Sequence, residues 1–133
     1  MLCAEDGLMI FDTDVFIWIQ RGSKRAAAMI DRHVDRFIAE QTYMELLHGA
    51  QNRVQQAATR RFLKDFGIQI LPLSPEIGNR AMSLVEQYAL SHNIRAADAL
   101  IAATALEAVQ PLCTSNVKHF RPIPLLELER LVP

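Results

Sequence analysis

The chain has 133 residues, a mass of 15.0 kDa and a net charge of −1, from fourteen Lys and Arg against fifteen Asp and Glu. Half of it is apolar and 22% is charged, which excludes a disordered or low-complexity protein and fits one ordinary domain. Its longest apolar runs, such as Val15–Ile19 and Ala99–Ala103, have five residues, far short of a membrane span, and the balanced charge does not announce a nucleic-acid binder.

Residues 1–7 read as an N-terminal extension to a single domain spanning the chain. Glu5 and Asp6 lie where a signal peptide carries positive charge, so a cytoplasmic location is expected. Cys3 and Cys113, with no C-x-x-C, do not suggest a disulfide framework. Leu8–Phe11 is an apolar run closed by Asp12, the pattern of a buried strand. Met9 immediately precedes Ile10-Phe11-Asp12-Thr13-Asp14, and as a hypothesis it is a second candidate start of translation, which intact mass would decide. Residues 15–32 read as helix interrupted near Gly22-Ser23, and Arg36–Glu40 as a short strand. Thr42 opens a helix running to about Gly49, and Val54, Ala58, Phe62 and Phe66 mark the inner face of the next. Ile68–Leu71 is a third strand. Ser74-Pro75 has the N-cap and first-turn residues of a helix start, continued at helical spacing by Ile77, Ala81, Leu84, Val85 and Tyr88. Arg95 to Ala108 is an Ala-rich helix, and Pro111–Thr114 a fourth strand.

Short apolar strands alternating with helices imply an α/β domain, a parallel sheet covered on both faces. In such folds sites form beyond the carboxyl ends of the strands. The first and fourth strands end at Asp12 and at Thr114-Ser115-Asn116, so these positions are where chemistry is expected. Charge is also unevenly placed. Arg21, Lys24, Arg25, Arg32 and Arg36 form one basic cluster, Arg53, Arg60, Arg61 and Lys64 a second, and Lys118, His119 and Arg121 a third. Taken singly, each reads as a solvated helix face.

Three carboxylates stand out. Asp12 follows the first strand in Phe11-Asp12-Thr13-Asp14-Val15, where either it or Asp14 can cap the next helix. Glu45 sits in Thr42-Tyr43-Met44-Glu45, a capping-box pattern, yet in the first turn of a helix that follows a strand it can also point into a cleft. Asp98 lies on an apolar stripe with Ile94, Ile101, Ala102 and Ala105, and a charge there needs a cation, a metal, a pairing with Arg95 or a capping role. Separated carboxylates on one sheet edge suit hard cations such as Mg²⁺ or Mn²⁺, and no His and Cys cluster has zinc spacing. The chemistry such a site implies is metal-assisted phosphoryl hydrolysis.

With these residues in order, the sequence resembles the PIN domain nucleases, in particular the VapC-type toxins of bacterial toxin–antitoxin pairs. The resemblance runs from Leu8 to about Leu131. It is carried by Ile10-Phe11-Asp12-Thr13-Asp14-Val15, by Thr42 to Ala50, by Arg95 to Ala103, and by Thr114-Ser115-Asn116-Val117-Lys118-His119-Phe120. It implies a three-layer α/β/α sandwich around a parallel sheet and Mg²⁺-dependent endoribonuclease activity, with Mn²⁺ able to substitute. It also implies catalytic and metal-binding roles for Asp12, Glu45 and Asp98, with Thr13, Thr114 and Asn116 as supporting polar groups. Asn116 is neutral where many members carry an acid, and His119 stands near that place. An RNA substrate, a cognate antitoxin and a homodimer are further implications.

Two rivals are weighed against this reading. Asp12-Thr13-Asp14-Val15 begins like the signature of haloacid dehalogenase-like phosphatases, but Phe16 breaks it and no downstream paired-Asp motif follows. A catalytically silent PIN-like domain that binds RNA or protein is the second, and Asn116 is the feature that favours it.

Overall fold

The computed structural model describes residues 8–133. The proposed extension, with Cys3, Glu5 and Asp6, therefore lies outside the described residues. Five strands form one sheet: β1 (Leu8–Phe11), β2 (Asp35–Ala39), β3 (Ile68–Leu71), β4 (Leu112–Thr114) and β5 (Leu128–Arg130). Their order is β3-β2-β1-β4-β5, and every pairing is parallel. Between them run α1 (Thr13–Gln20), α2 (Lys24–Asp31), α3 (Glu40–His48), α4 (Arg53–Asp65), α5 (Pro75–His92), α6 (Ala96–Ala108) and the single turn α7 (Val117–Phe120). The α/β expectation is met.

Strand alternation explains the layers. Met9 and Phe11 pack on one face of the sheet with Val15, Phe16, Met29, Ile30 and Leu63, from α1, α2 and α4. Ile10, between them in sequence, packs on the other face with Ile77, Ala81 and Leu84 of α5 and with Ala99 and Ile101–Ala103 of α6. Ile38 and Ala39 of β2, and Cys113 and Leu112 of β4, divide the same way. β1, β4 and the carboxyl end of β2 are thus buried on both sides. The small side chains of α6 let it lie close against both α5 and the sheet.

Helix ends follow the sequence signals in most places. Ser23 caps α2, with Oγ accepting from Ala26 N–H, and its neighbour Gly22 (φ 92°) makes the break between α1 and α2 in the left-handed region. Ser74 caps α5 with Pro75 in the first turn.

Two expectations fail. The helix expected from Thr42 starts at Glu40, with Ala39 as an N-cap that makes no side-chain hydrogen bond, so Thr42 and Glu45 are not a capping box. Glu40 instead accepts from Leu73 N–H, which ties α3 to the loop after β3. Along α4, Val54 is 79% exposed and Phe66 is the C-cap residue, while Leu63 takes the buried position. This helix meets the core only through its C-terminal half, where Phe62 stands edge-on to Phe16. Two elements of the C-terminal segment, α7 and β5, have no counterpart in the sequence reading. Among the described residues no helix is long and apolar enough to cross a membrane.

Candidate active site

The strand order reverses between β1 and β4, and this is where an open α/β sheet leaves a crevice at its carboxyl edge. Asp12 closes β1 at that point. It is buried, 6% exposed, and serves as the N-cap of α1, with Oδ1 accepting from Thr13 N–H at 2.8 Å. Its Oδ2 accepts from the hydroxyl of Thr114, the last residue of β4, also at 2.8 Å. Asp12 is thus the cap of α1, and the same carboxylate lies in the crevice between β1 and β4. Each carboxylate oxygen has its own neighbour, so the side chain is fixed in place.

Thr13 carries the connection outward. Its hydroxyl donates to Glu45 Oε1 (2.8 Å) and lies 3.1 Å from the hydroxyl of Thr42, which is fully buried. Glu45 therefore faces the cleft from α3 and is held there by α1. Asp98 stands in the first turn of α6, half-buried. Asp98 is not the N-cap, which is Arg95, and among the described residues it forms no ion pair with Arg95. Its neighbour across the crevice edge is His119 of α7, with Nδ1 3.7 Å from Oδ2.

The electrostatics mark this as a crowded acidic site. Burial, then the charge of Asp14 and more weakly that of Asp98, push the Asp12 carboxyl up from the ordinary 3.8 to about 8, against the opposing hydrogen bonds from Thr114 and Thr13. Asp98 thus acts on Asp12 through space, although 86 residues separate them in sequence.

Asp14, which the sequence reading left as an alternative cap, lies in the same crevice. Its Oδ2 accepts from the backbone N–H and the hydroxyl of Ser115, while Oδ1 is buried with no hydrogen-bond partner among the described residues. The Asp-x-Asp spacing was the available signal. Ser115 and Thr42 gave none, because their roles depend on contacts across 101 and 29 residues. Asn116 is exposed at the rim. Its backbone N–H donates to Thr114 Oγ1 at 3.0 Å, and its side chain does not cap α7.

The donor set of carboxylates and hydroxyls is that of a hard, oxygen-preferring cation. A buried acid pushed toward neutrality by its acidic neighbours, beside an orphaned carboxylate oxygen, is an arrangement that a positive charge would relieve. These residues fit such a cation chemically. Among the described residues, however, no three His, Cys, Asp or Glu side chains are gathered closely enough to hold a metal by themselves.

A family model described as PIN domain matches residues 9–122. The fold is shared with a chain of a toxin–antitoxin complex from Klebsiella pneumoniae, 28% identical with a TM-score of 0.72 over 89% of this chain and 94% of that one. VapBC-1 from nontypeable Haemophilus influenzae is 25% identical, with a TM-score of 0.77 over 92% of this chain and 97% of that one. VapBC2 from Rickettsia felis, solved bound to a DNA fragment from its promoter, has the same fold at 23% identity, with a TM-score of 0.76 over 94% and 99%. No curated protein sequence matches the chain. The family match covers all four motifs and the whole acidic crevice, and the chain belongs to the PIN domain family.

Proposed function

We propose that this protein is a metal-dependent endoribonuclease that hydrolyses RNA phosphodiester bonds, and that it is the toxin of a VapBC-type toxin–antitoxin pair. The observation that carries the reading is the buried Asp12 carboxyl, pushed up to about 8 by burial, Asp14 and Asp98 and joined to Glu45 through Thr13. A purely structural acid gains nothing from such crowding, whereas a site built to receive a cation does. Asp12, Glu45 and Asp98 are the residues that would hold a Mg²⁺ or Mn²⁺ ion, which when bound supplies charge stabilisation and water activation for in-line attack on the phosphodiester.

The chain's own groups do the positioning. Thr114 and the Thr13 backbone lock Asp12, and Thr13 Oγ1 fixes Glu45 from the side of α1. Asn116 sits at the rim, where a neutral amide can meet the substrate without adding to the repulsion among the acids. The partners proposed are RNA, a cognate antitoxin and a second copy of the chain, in the cytoplasm. The toxin–antitoxin assemblies that share the fold support the antitoxin.

A second reading, a catalytically silent PIN domain that binds RNA or protein, is favoured by one observation: the absence of a three-residue metal cluster among the described residues. Incubation with total RNA separates the two. Cleavage with Mn²⁺ that stops with EDTA is the expected result, and intact RNA at saturating Mn²⁺ would leave the silent domain.

A further inference from the structure

We infer that the open groove between the end of α1 and the start of α2 is a binding subsite for the single-stranded RNA flanking the scissile bond. The inference rests on the ribonuclease reading of the acidic crevice and names where its substrate is gripped. The groove, of about 370 Å³, is walled by Trp18, Arg21, Lys24, Arg25 and the terminal Pro133.

Three features point to a polyanion with bases. First, Arg21, Lys24 and Arg25 are exposed, and among the described residues none of them has a carboxylate within ion-pair distance. Second, Lys24 and Arg25 occupy the first turn of α2, which holds no acidic residue. Cations at a helix N-terminus oppose its dipole, so this placement costs the fold stability and is explained by a ligand that needs it. Third, the groove is wired to the acids. The guanidinium of Arg21 lies over the Trp18 ring, 5.2 Å from its centroid, which puts a planar cation of the kind on which unpaired bases stack at the groove wall. The Trp18 indole N–H donates to Ser115 Oγ at 3.2 Å, and Ser115 donates to Asp14 beside Asp12. These bonds place the Trp18 wall of the groove next to the residues around Asp12.

Trp18 is the sole tryptophan of the chain, which makes it a reporter for this groove. The wild-type protein, kept in EDTA so that nothing is cut, is titrated with a mixed-sequence single-stranded RNA dodecamer. Indole fluorescence should be quenched as anisotropy of the labelled RNA rises, and heparin, a polyanion without bases, should bind with less quenching. The double variant Lys24→Glu, Arg25→Glu should bind the RNA roughly tenfold more weakly at 0.15 M salt, with a salt slope shallower by about 1.4 for two lost phosphate contacts. Its melting temperature should not fall, because acids now stand at the α2 N-terminus. RNA that binds without quenching Trp18, RNA that binds the variant as tightly, or no binding by the wild type would each overturn the subsite. Cleavage with Mn²⁺ is scored separately. Binding through the groove without cleavage would keep the subsite and remove the ribonuclease reading.

Discussion

Replacing Asp12 with Asn should make the protein more stable above neutral pH while abolishing its activity. The reason lies in the direction of the shift. The folded state holds the Asp12 proton up to about pH 8, whereas the unfolded chain releases it near 3.8. Stability from this group is therefore fully present below the unfolded value and is lost as pH rises through the folded one. At about 1.36 kcal/mol for each tenfold change in proton affinity, the wild type should lose on the order of 3 kcal/mol between pH 5 and pH 8 that Asp12→Asn keeps. For a domain of this size that is roughly 10 °C in melting temperature. The Asn carbonyl can still accept from Thr13 N–H and its amide can donate to the Thr114 hydroxyl, so the cap and the strand link survive. The assay is thermal unfolding of both proteins in EDTA at half-unit pH steps. The gap between the two curves should widen steadily with pH, and added Mn²⁺ should stabilise the wild type alone. A gap that stays constant with pH would refute the account, since it would mean that Asp12 is ionised at little cost in the folded protein.

Asp98→Asn should also abolish cleavage while leaving the fold intact or slightly more stable, because it removes one of the charges bearing on Asp12; circular dichroism and an RNA cleavage assay check the two halves, and loss of activity through unfolding would instead make Asp98 structural. Asn116→Asp should tighten Mn²⁺ binding in calorimetry, since an anion replaces a neutral amide at the rim; unchanged or weaker affinity would place Asn116 outside the site. The Cys113 thiol is fully buried and pushed up to about 12, by burial first and then by the nearby acids. Its peptide should stay unlabelled by iodoacetamide at pH 8 in the native protein and react on unfolding, as read by mass spectrometry.

Much of the fold was legible because its signals are local. Four of the five strands were marked by short segments rich in apolar residues, and the break near Gly22-Ser23, the periodicity of α5 and its cap at Ser74 depend on residues within one turn. The strand β5 escaped because it is a three-residue edge strand in a Pro-containing segment. Leu128 in it is partly buried, and with Leu126 and Leu131 beside it packs against residues far away in sequence rather than forming a run. The α4 face was misassigned because periodicity gives the stripe but not how much of the helix reaches the core.

The candidate site divides the same way. Asp12 and Asp98 could be singled out from sequence, since a carboxylate after a strand or on an apolar stripe conflicts with its surroundings wherever the chain goes, whereas Glu45 was carried by the resemblance. Whether Glu45 caps its helix or faces the crevice could not be decided locally. The capping-box pattern was present, and it was overridden because α3 begins two residues earlier and Thr13 reaches across from α1. The roles of Thr42, Asp14 and Ser115, and the pressure that keeps Asp12 near neutrality, likewise come only with the tertiary structure. Charge repulsion, burial and hydrogen bonding act over a few ångströms in space, and it is the parallel sheet, with β1 beside β4, that brings together groups a hundred residues apart.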